Sequence, residues 1–418
     1  MMTQAFYTGL SGLKSSSYGI DVVSNNLANV NTAGFRGSNY EFSSLFEQSM
    51  CTVHNSTSDS IGLGTSLQAT PMIESSGSYL LSDRSTDLAI FGDGWFGVQG
   101  NDDPLYTRNG AFTFDENDDL VTTDGYHVLG TMGGNIDGET LTKQLSEVAL
   151  EDVEKQEKLR FPKTLIYPPE ASTKAEFIGN IGTTPETRTM SASVVDPNGK
   201  KNELKLEFTM REQQTPPGTQ WNVKAVTQDL NNPTVIYDTK EGVVAFDESG
   251  ALISSTLTTI DNNGAPVEID LGSGFNGVVA ISNVDISAST FADGTVGGEL
   301  SGYDVNRNGE VIATFTNGMQ SSVGRVAIYH FQNDQGLERV SGTYFSPSVN
   351  SGKPIFYQNE NGENIVGTEV SNFTLEGSNV DMTVGLTDLI ILQRTYDANS
   401  KSVTTADEMI QKALNMDA

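Results

Sequence analysis

The stretch "SNNLANVNTAGF", residues 24–35, places four asparagines at the end of a segment that otherwise has the pattern of an amphipathic helix. Asn is a mediocre helix former because its amide competes for nearby backbone groups. The residues that recur in steps of four and three through this segment are Phe6, Leu10, Leu13, Ser17, Ile20, Ser24 and Leu27. This spacing predicts a helix over residues 3–32 with a heptad seam, capped at its C-terminus by Gly34.

The C-terminal end of the chain carries a second heptad pattern. Its members are Met382, Leu386, Leu389, Gln393, Tyr396, Ser400, Val403, Asp407, Ile410 and Leu414. Polar residues in this seam predict that the buried stripe drifts toward Leu392 and Ala406, as it does on a straight helix. We expect this helix to span about 380–415, with Ser378 or Asn379 as its N-cap and Asp381 in its first turn.

The sequence between the two helices is typical of β-structure. The stretch "DLAIFGDGWFGVQG" (87–100) alternates and turns at Gly92 and Gly94, and residues 104–130 predict successive hairpins. From 151 to 290 the composition shifts toward Thr, Asn, Pro and Lys, with turn signals at 196–199, 216–218 and 262–264. The pattern of short strands separated by tight turns, as in residues 80–130, then resumes at about residue 298. The pattern predicts one β-domain inserted into another, between two terminal helices.

The predicted fold is therefore mainly β with long α-helical termini, nested and multi-domain. The two terminal helices are expected to pair as a coiled coil. The expected segments are an N-terminal axial helix (1–35), a polar connecting segment without clear periodicity (36–70), a middle β-domain in two parts (71–150 and 291–379), an inserted outer β-domain (151–290) and a C-terminal axial helix (380–418).

Composition argues against several classes of partner. A formal net charge of -30 repels nucleic acid and anionic membrane surfaces, although halophilic adaptation gives a similar charge. The single cysteine, Cys51, cannot form an intrachain disulfide. The N-terminus lacks the pattern of a secretory signal peptide, and no window approaches the apolar length of a membrane span.

Motifs that imitate chemical sites have simpler explanations. The stretches "DENDDL" (115–120) and "DVNRNG" (304–309) begin like calcium loops but lack the twelfth ligand, so both predict tight turns, with a type I′ pair at 308–309. "GDGWFG" (92–97) predicts a hairpin corner with Trp95 and Phe96 in the core. The histidines His54, His127 and His330 are far apart in sequence and form no metal-binding motif. We expect no catalysis, no cofactor and no metal.

The terminal helices carry little apolar surface for their length. The five large seam residues of the N-terminal helix contribute ~1.5–3 kcal/mol each on full burial. Fixing each backbone residue costs ~1–2 kcal/mol, which hydrogen bonds offset only in part. We therefore expect these ends to be disordered in a monomer and helical in an assembly.

Three segments resemble the axial protein family of the bacterial flagellum, which comprises rod, hook and hook-associated proteins. The first is "LSGLKSSSYGIDVVSNNLANVNTAGFRG" (10–37), the second "STDLAIFGDGWFGVQG" with "YTRNGAFTFD" and "LVTTDGYHVLG", and the third "LEGSNVDMTVGLTDLIILQRTYDANSKSVTTADEMIQKAL" (375–414). They follow one another in the family's order. The length and the large inserted region are similar to those of hook-type members; rod members are much shorter.

The resemblance implies a helical polymer of many copies. Terminal helices would form an inner tube, and the β-domains would build its wall and outer surface, as a curved coupling that passes torque from rod to filament. Implied partners are the rod, the hook cap, the hook-filament junction proteins and the type III export apparatus, and the implied location is extracellular, in the flagellum. A distal rod subunit or a hook-like paralogue is an alternative, and an extracellular β-rich adhesin is an alternative of another class.

The expected assembly interface lies on both helices. In it, the asparagine amides are hypothesised to pair with neighbouring subunits; alternatively, they only form the frayed last turn of the helix. The expected interface residues are Phe6, Leu10, Leu13, Ile20, Asn25, Asn26, Leu27, Asn29, Asn31, Met382, Leu386, Leu389, Leu392, Gln393, Tyr396, Asn399, Val403, Ile410 and Leu414.

Overall fold

A computed structural model describes residues 2–45, 47–49, 60–100, 103–214 and 218–416. It is mainly β, with helix α1 (Met2–Ala28) at one end and helix α2 (Met382–Met416) at the other. Both helices were predicted, but α1 ends four residues before the expected position 32, so the last asparagines of the opening motif lie in a turn. Neither described helix is long and apolar enough to cross a membrane.

The strands fall into three groups along the chain. The first group is β1 (Glu41–Ser44), β2 (Glu47–Ser49), β3 (Ser60–Gly62), β4 (Thr65–Ala69), β5 (Tyr79–Leu81), β6 (Ala89–Phe91), β7 (Trp95–Gln99), β8 (Leu105–Thr107), β9 (Phe112–Phe114), β10 (Leu120–Thr122), β11 (His127–Met132), β12 (Ile136–Asp137), β13 (Thr140–Leu141), β14 (Glu157–Lys158) and β15 (Ile166–Tyr167). The second group is β16 (Lys174–Asn180), β17 (Arg188–Val195), β18 (Lys201–Met210), β19 (Thr219–Asp229), β20 (Ile236–Phe246), β21 (Leu252–Ser255), β22 (Thr259–Asn262), β23 (Ala265–Asp270), β24 (Gly272–Ser273), β25 (Asn276–Val279) and β26 (Ser287–Ala292). The third group is β27 (Gly298–Val305), β28 (Glu310–Phe315), β29 (Gln320–Val326), β30 (Ile328–Tyr329), β31 (Glu338–Ser341), β32 (Tyr344–Ser346), β33 (Tyr357–Gln358), β34 (Asn364–Ile365), β35 (Glu369–Ser371) and β36 (Thr374–Glu376).

The first and third groups share one hydrophobic core. Their main sheet runs in the order β12-β13-β15-β27-β28-β29-β11-β7-β8-β32-β31, so strands far apart in sequence lie side by side. Trp95 and Phe96 are buried in this core, as predicted. The turn before them has positive φ at Gly92 and Gly94. It is not a hairpin corner, because β6 pairs with β35 and β7 pairs with β8.

The second group forms a separate core between two sheets. One sheet runs β17-β18-β19-β20-β21, and the other contains β22-β23-β16-β25-β24 with β26 beside β16. Alternation along β18 buries Leu204, Leu206 and Phe208 while the residues between them stay partly exposed, as expected for a strand with one face on a core. Trp221 is fully buried in this second core.

The change from the first core to the second lies later than the predicted boundary at 151. Strand β14 pairs with β11 and β15 pairs with β27, so residues 157–167 belong to the sheet of the first core. Leu159, Phe161 and Tyr167 pack in that core as well. The chain enters the second group after Glu170 and leaves it before Thr295, and these two residues form an antiparallel bridge. The return to the first core therefore lies close to the predicted position near 290.

The segment after α1, expected to be a polar connection, contains two antiparallel strand pairs in its described part, β1–β4 and β2–β3. Strands β1 and β4 pair, and this hairpin lies on α1. Ser15 Oγ donates to the Thr65 carbonyl (3.1 Å), and the Thr65 N–H donates to Ser11 Oγ (3.3 Å). Small polar side chains on α1 thus hold the hairpin. Cys51, His54 and the predicted turn residues 216–217 lie outside the described residues.

Several predicted turns are present, and one differs in type. Asn263 and Gly264 both have positive φ and link β22 to β23 as a two-residue hairpin loop. The predicted type I′ pair at 308–309 is wrong: of these two residues Gly309 has positive φ and Asn308 does not. The side chain of Asn306 instead accepts bonds from the N–H groups of Asn308 and Glu310, which builds a longer loop.

Candidate functional site

The two terminal helices pack against each other in antiparallel orientation, through close contacts at glycines of α1. A Cβ atom at Gly9 would lie 2.8 Å from Val403 Cγ2, and one at Gly12 would lie 2.6 Å from Asn399 Nδ2. One at Gly19 would lie 3.0 Å from a Leu392 methyl group. The backbone of α1 therefore touches the side chains of α2 directly, which only residues without a side chain permit.

The line of α1 that faces α2 is offset by one position from the predicted seam. The buried residues of α1 are Gly9, Gly12, Ser15, Ser16, Gly19, Val23 and Asn26. The large residues of the predicted seam (Phe6, Leu10, Leu13, Ile20 and Leu27) are half-buried or, for Leu10, exposed. A heptad pattern is recognised by its large apolar side chains, so it does not reveal a contact with α2 that Gly9, Gly12 and Gly19 make.

On α2 the predicted residues divide between two environments. Leu392 and Ala406 are buried, which agrees with the predicted drift of the stripe. Val403, Asn399, Ile410 and Leu389 are half-buried, and the exposed members of the predicted set are Met382, Leu386, Gln393, Tyr396 and Leu414. Further large apolar residues that the heptad did not include are also exposed, namely Val384, Ile390, Ile391 and Met409. These residues do not follow the heptad spacing, so only their exposure in the structure identifies them as candidate interface residues.

The asparagines of the opening motif have different partners. Asn26 is buried and exchanges two hydrogen bonds with the backbone of Ser38, at 2.7 Å to its carbonyl and 3.0 Å from its N–H. Asn29 Nδ2 donates to the Asn25 carbonyl at 2.9 Å, which closes the end of the helix. Asn25 and Asn31 are exposed. One amide therefore folds the chain back onto α1, and the exposed ones face solvent in a single copy.

The segments that follow α1 and precede α2 meet at one junction. The Gly34 N–H donates to the Glu376 carbonyl (2.7 Å), and Asn379 Oδ1 accepts from the Gly37 N–H (2.8 Å). Gly34 has φ +68°, and a Cβ there would lie 2.3 Å from the Asn109 nitrogen. Gly34 is therefore required for close approach to the β-structure and is not the helix cap that was predicted.

The start of α2 also differs from the prediction. The Asp381 carboxylate accepts hydrogen bonds from the N–H groups of Thr383 (2.7 Å) and Val384 (3.1 Å), which makes Asp381 the N-cap. Asn379, a predicted cap, donates instead to the Ile73 and Ser75 carbonyls (2.8 and 2.9 Å). It thereby ties the entrance of α2 to the strand region after the β1–β4 hairpin.

A buried carboxylate lies at the centre of the junction. Glu376 pairs with Arg36 at 2.9 Å and with Arg108 at 3.3 Å, and all three side chains are almost fully buried. Burial lowers the pKa of Arg108 to about 10, and Glu376 opposes this shift. Arg108 also donates to the Gly92 carbonyl (2.6 Å). This ionic group joins the N-terminal segment, the first core and the C-terminal segment.

A polar cluster lies at the turn between β9 and β10. Ligand atoms of Asp115, Asp119 and His127 lie within 4.8 Å of one another. Asp115 Oδ1 accepts from the N–H groups of Asn117 (2.8 Å) and Asp119 (2.9 Å), and the backbone bond from Asp119 is the main cause of the lowered pKa of Asp115. These bonds are those of a tight turn, as predicted for this stretch.

Comparison with known proteins identifies the three segments. The chain matches the family models "Flagella basal body rod protein" over residues 6–36, "Flagellar hook protein FlgE/F/G D1 domain" over 89–154 and "Flagellar basal body rod FlgEFG protein C-terminal" over 372–416. The first and third ranges cover most of α1 and α2 together with the junction.

Full-length relatives extend this similarity over the whole chain. The chain is 29% identical to the flagellar hook protein FlgE of Brucella suis (98% of each chain) and 25% identical to that of Escherichia coli (99% of this chain, 100% of the relative). It is 25% identical to that of Borreliella burgdorferi over 99% of this chain and 100% of the relative. The fold resembles the crystal structure of the Helicobacter pylori flagellar hook protein FlgE2, with a TM-score of 0.55, 18% identity and coverage of 70% of this chain and 98% of that one. The three family models and the full-length relatives thus show that the chain is similar to flagellar rod and hook proteins at both ends and over nearly its whole length.

Proposed function

We propose that this chain is the structural subunit of a bacterial flagellar hook and polymerises through its terminal helices. The observation that carries this proposal is the apolar surface that remains on the helices after they pair. Leu386, Ile390 and Ile391 are 44%, 58% and 55% exposed, and Tyr7 of α1 is 64% exposed. Large apolar residues along two long helices need a cover, and further copies of the same helices supply it in a tube.

The domain plan supports a tube with an outer wall. The helix pair leaves the first core at the junction around Glu376, and the second core is joined to the first beside the Glu170–Thr295 bridge. In the proposed assembly the helices pack around the axis as coiled coils. The first core builds the middle layer and the second core the outer layer. The assignment of the two cores to layers of a tube stays a prediction.

The charge distribution suits this layering. Helix α1 carries one lysine and one aspartate, and α2 carries four acidic and three basic residues. Most of the net charge of -30 therefore belongs to the β-structure. Helices of nearly balanced charge pack together with little repulsion, whereas an acidic exterior keeps separate tubes soluble.

The role in torque transmission and the partners are inferred from the family. We propose export through the flagellar type III apparatus, assembly beneath a cap, and contacts with the rod at one end and the hook-filament junction proteins at the other. The resulting curved tube would pass torque from rod to filament without catalysis. A distal rod subunit or hook-like paralogue is the alternative within the family; an adhesin has no support in the relatives.

Electron microscopy of cells that lack this chain tests the proposal. We expect loss of hook and filament with the rod retained; cells that still assemble complete hooks contradict it. A complementary test removes residues 1–30 and 385–418. We expect this form to stay a soluble monomer with its β-structure intact, as circular dichroism and sedimentation measure.

A further inference from the structure

Helix α2 carries a cavity and an apolar projection on different flanks. The cavity, of about 290 Å³, lies where the start of α1 meets the second half of α2. Its lining residues are Ala5, Lys401, Ser402, Thr405, Ala406 and Met409. The projection is formed by Leu386 and Ile390, whose side chains are 44% and 58% exposed. The lining of the cavity includes the small residues Ala5, Ser402 and Ala406, and its volume leaves room for aliphatic side chains.

The positions of these two features follow from helix geometry. At about 100° and ~1.5 Å per residue, Leu386 and Ser402 lie about 160° apart around α2 and about 24 Å apart along it. Ile390 and Ala406 have the same spacing. The projection of one copy therefore cannot reach its own cavity, but it can reach the cavity of a parallel neighbour that is shifted by about 24 Å.

Charge complementarity favours a second copy as the occupant. Asp397 lies on the same flank as Leu386 and Ile390, and Lys412 lies beyond the cavity; both are exposed. A shift of 16 residues that seats Leu386 beside Ser402 also brings Asp397 level with residue 413, next to Lys412 of the neighbour. Apolar and ionic contacts thus require the same offset.

We propose, on the basis of the hook-subunit function above, that Leu386 and Ile390 of one copy occupy the Ala5–Ala406 cavity of a parallel second copy displaced by about 24 Å along the helix axis. Each copy offers one projection and one cavity. The contact is therefore heterologous, and it propagates without closing into a dimer.

Disulfide cross-linking within the polymer tests this contact. In a Cys51→Ser background, Leu386→Cys combined with Ser402→Cys places one thiol on the projection and one at the cavity. The two positions are about 24 Å apart in one chain, far beyond the ~7 Å limit between Cα atoms for a disulfide, so every cross-link is intermolecular. We expect oxidised polymers to give a ladder of dimers, trimers and longer species on a denaturing gel.

A matched pair provides the control. Leu386→Cys with Thr395→Cys keeps the same flank as Ser402 but lies about 10 Å nearer the projection, and it should give no ladder. The proposed contact is overturned if the first pair gives no cross-link, gives dimers only, or cross-links no better than the control. Each of these results leaves the proposed hook function standing. Failure of the Cys51→Ser parent chain to polymerise contradicts the proposed function itself, and with it this contact.

Discussion

Arg36 Nη2 lies 2.9 Å from Glu376 Oε1, with both side chains buried. The first residue follows α1 and the second precedes α2, so this ion pair links the two helix-bearing ends of the chain at the first core. Arg108, from the core itself, pairs with the other carboxylate oxygen at 3.3 Å. The geometry explains how two terminal helices leave the β-structure at one place.

Loss of the Glu376 carboxylate should destabilise the first core. Glu376→Gln leaves two buried guanidinium groups without their carboxylate, so we expect the first core to lose about 3–5 kcal/mol of unfolding free energy. Denaturant unfolding followed by Trp95 fluorescence in a Trp221→Phe background isolates this core. Glu369→Gln, an exposed change nearby, should cost less than about 0.5 kcal/mol. Equal stability of the two variants would refute the structural role of Glu376.

Alanine substitutions at the neighbouring residues Asn26 and Asn25 should have different effects on the backbone of Ser38. Asn26→Ala removes both hydrogen bonds to Ser38, so the Ser38 amide should exchange with solvent much faster, and the turn after α1 should loosen. Asn25 is exposed, and Asn25→Ala should leave that amide unchanged in the monomer. Amide exchange by NMR or mass spectrometry compares the two. Identical exchange at Ser38 in both variants would be inconsistent with the observed bonds.

The glycines of α1 provide a test of helix pairing. Gly9→Ala with Gly12→Ala raises helix propensity by up to ~1 kcal/mol per site, yet places methyl groups 2.8 and 2.6 Å from atoms of α2. We expect the helices to separate and polymerisation to weaken. Gly385→Ala raises helix propensity equally, but its methyl group would lie 4.0 Å from Leu27 Cδ1, an ordinary van der Waals distance.

Sedimentation of polymers as a function of protein concentration distinguishes these glycine variants. The Gly385→Ala chain should polymerise at least as well as the parent, and the double variant should need a higher concentration. Normal polymerisation of the double variant would show that the close approach is unnecessary.

His330 predicts a pH dependence of stability. Burial lowers its pKa in the folded protein, where its Nε2 lies 2.9 Å from the Val366 carbonyl oxygen and its ring packs against the tilted ring of Tyr357. The unfolded chain therefore binds a proton at pH values where the folded protein does not, so stability should fall as pH drops through and below about 6.5. His330→Gln should flatten the pH dependence between pH 7 and 5. An unchanged slope in that variant would exclude His330 as its source.

Local patterns in the sequence predicted much of the fold. The two helices, the buried Leu392 and Ala406, and the hairpin at Asn263–Gly264 follow from periodicity and turn chemistry over a few residues. The β-strands were recognisable as strands, but their order was not, since β15 pairs with β27 more than a hundred residues later. The late boundary of the second core follows from that pairing.

The site was harder to predict than the fold. The close contacts of α1 with α2 are at Gly9, Gly12 and Gly19, which carry no hydrophobic signal, so the large residues beside them were predicted instead. Glu376 gave no local sign of its role, because its partners Arg36 and Arg108 come from distant segments. The N-cap was misplaced because Asn379, a good capping residue, bonds backbone groups of another segment.

The paired helices meet at glycines of α1, and few large apolar residues of either helix are fully buried. We therefore expect the pair to be weakly stable in a single copy and strongly stabilised when other copies cover its exposed surface. This is the central claim of the proposed function, because it explains how subunits stay unassembled until they reach the growing end.

Amide hydrogen exchange of the full-length chain, measured by mass spectrometry in dilute monomer and in polymer, tests that claim most directly. Residues 2–28 and 382–416 should exchange rapidly in the monomer and become strongly protected in the polymer, while both β-cores exchange slowly in each state. Slow exchange of the helices in the monomer, equal to that of the cores, would contradict it.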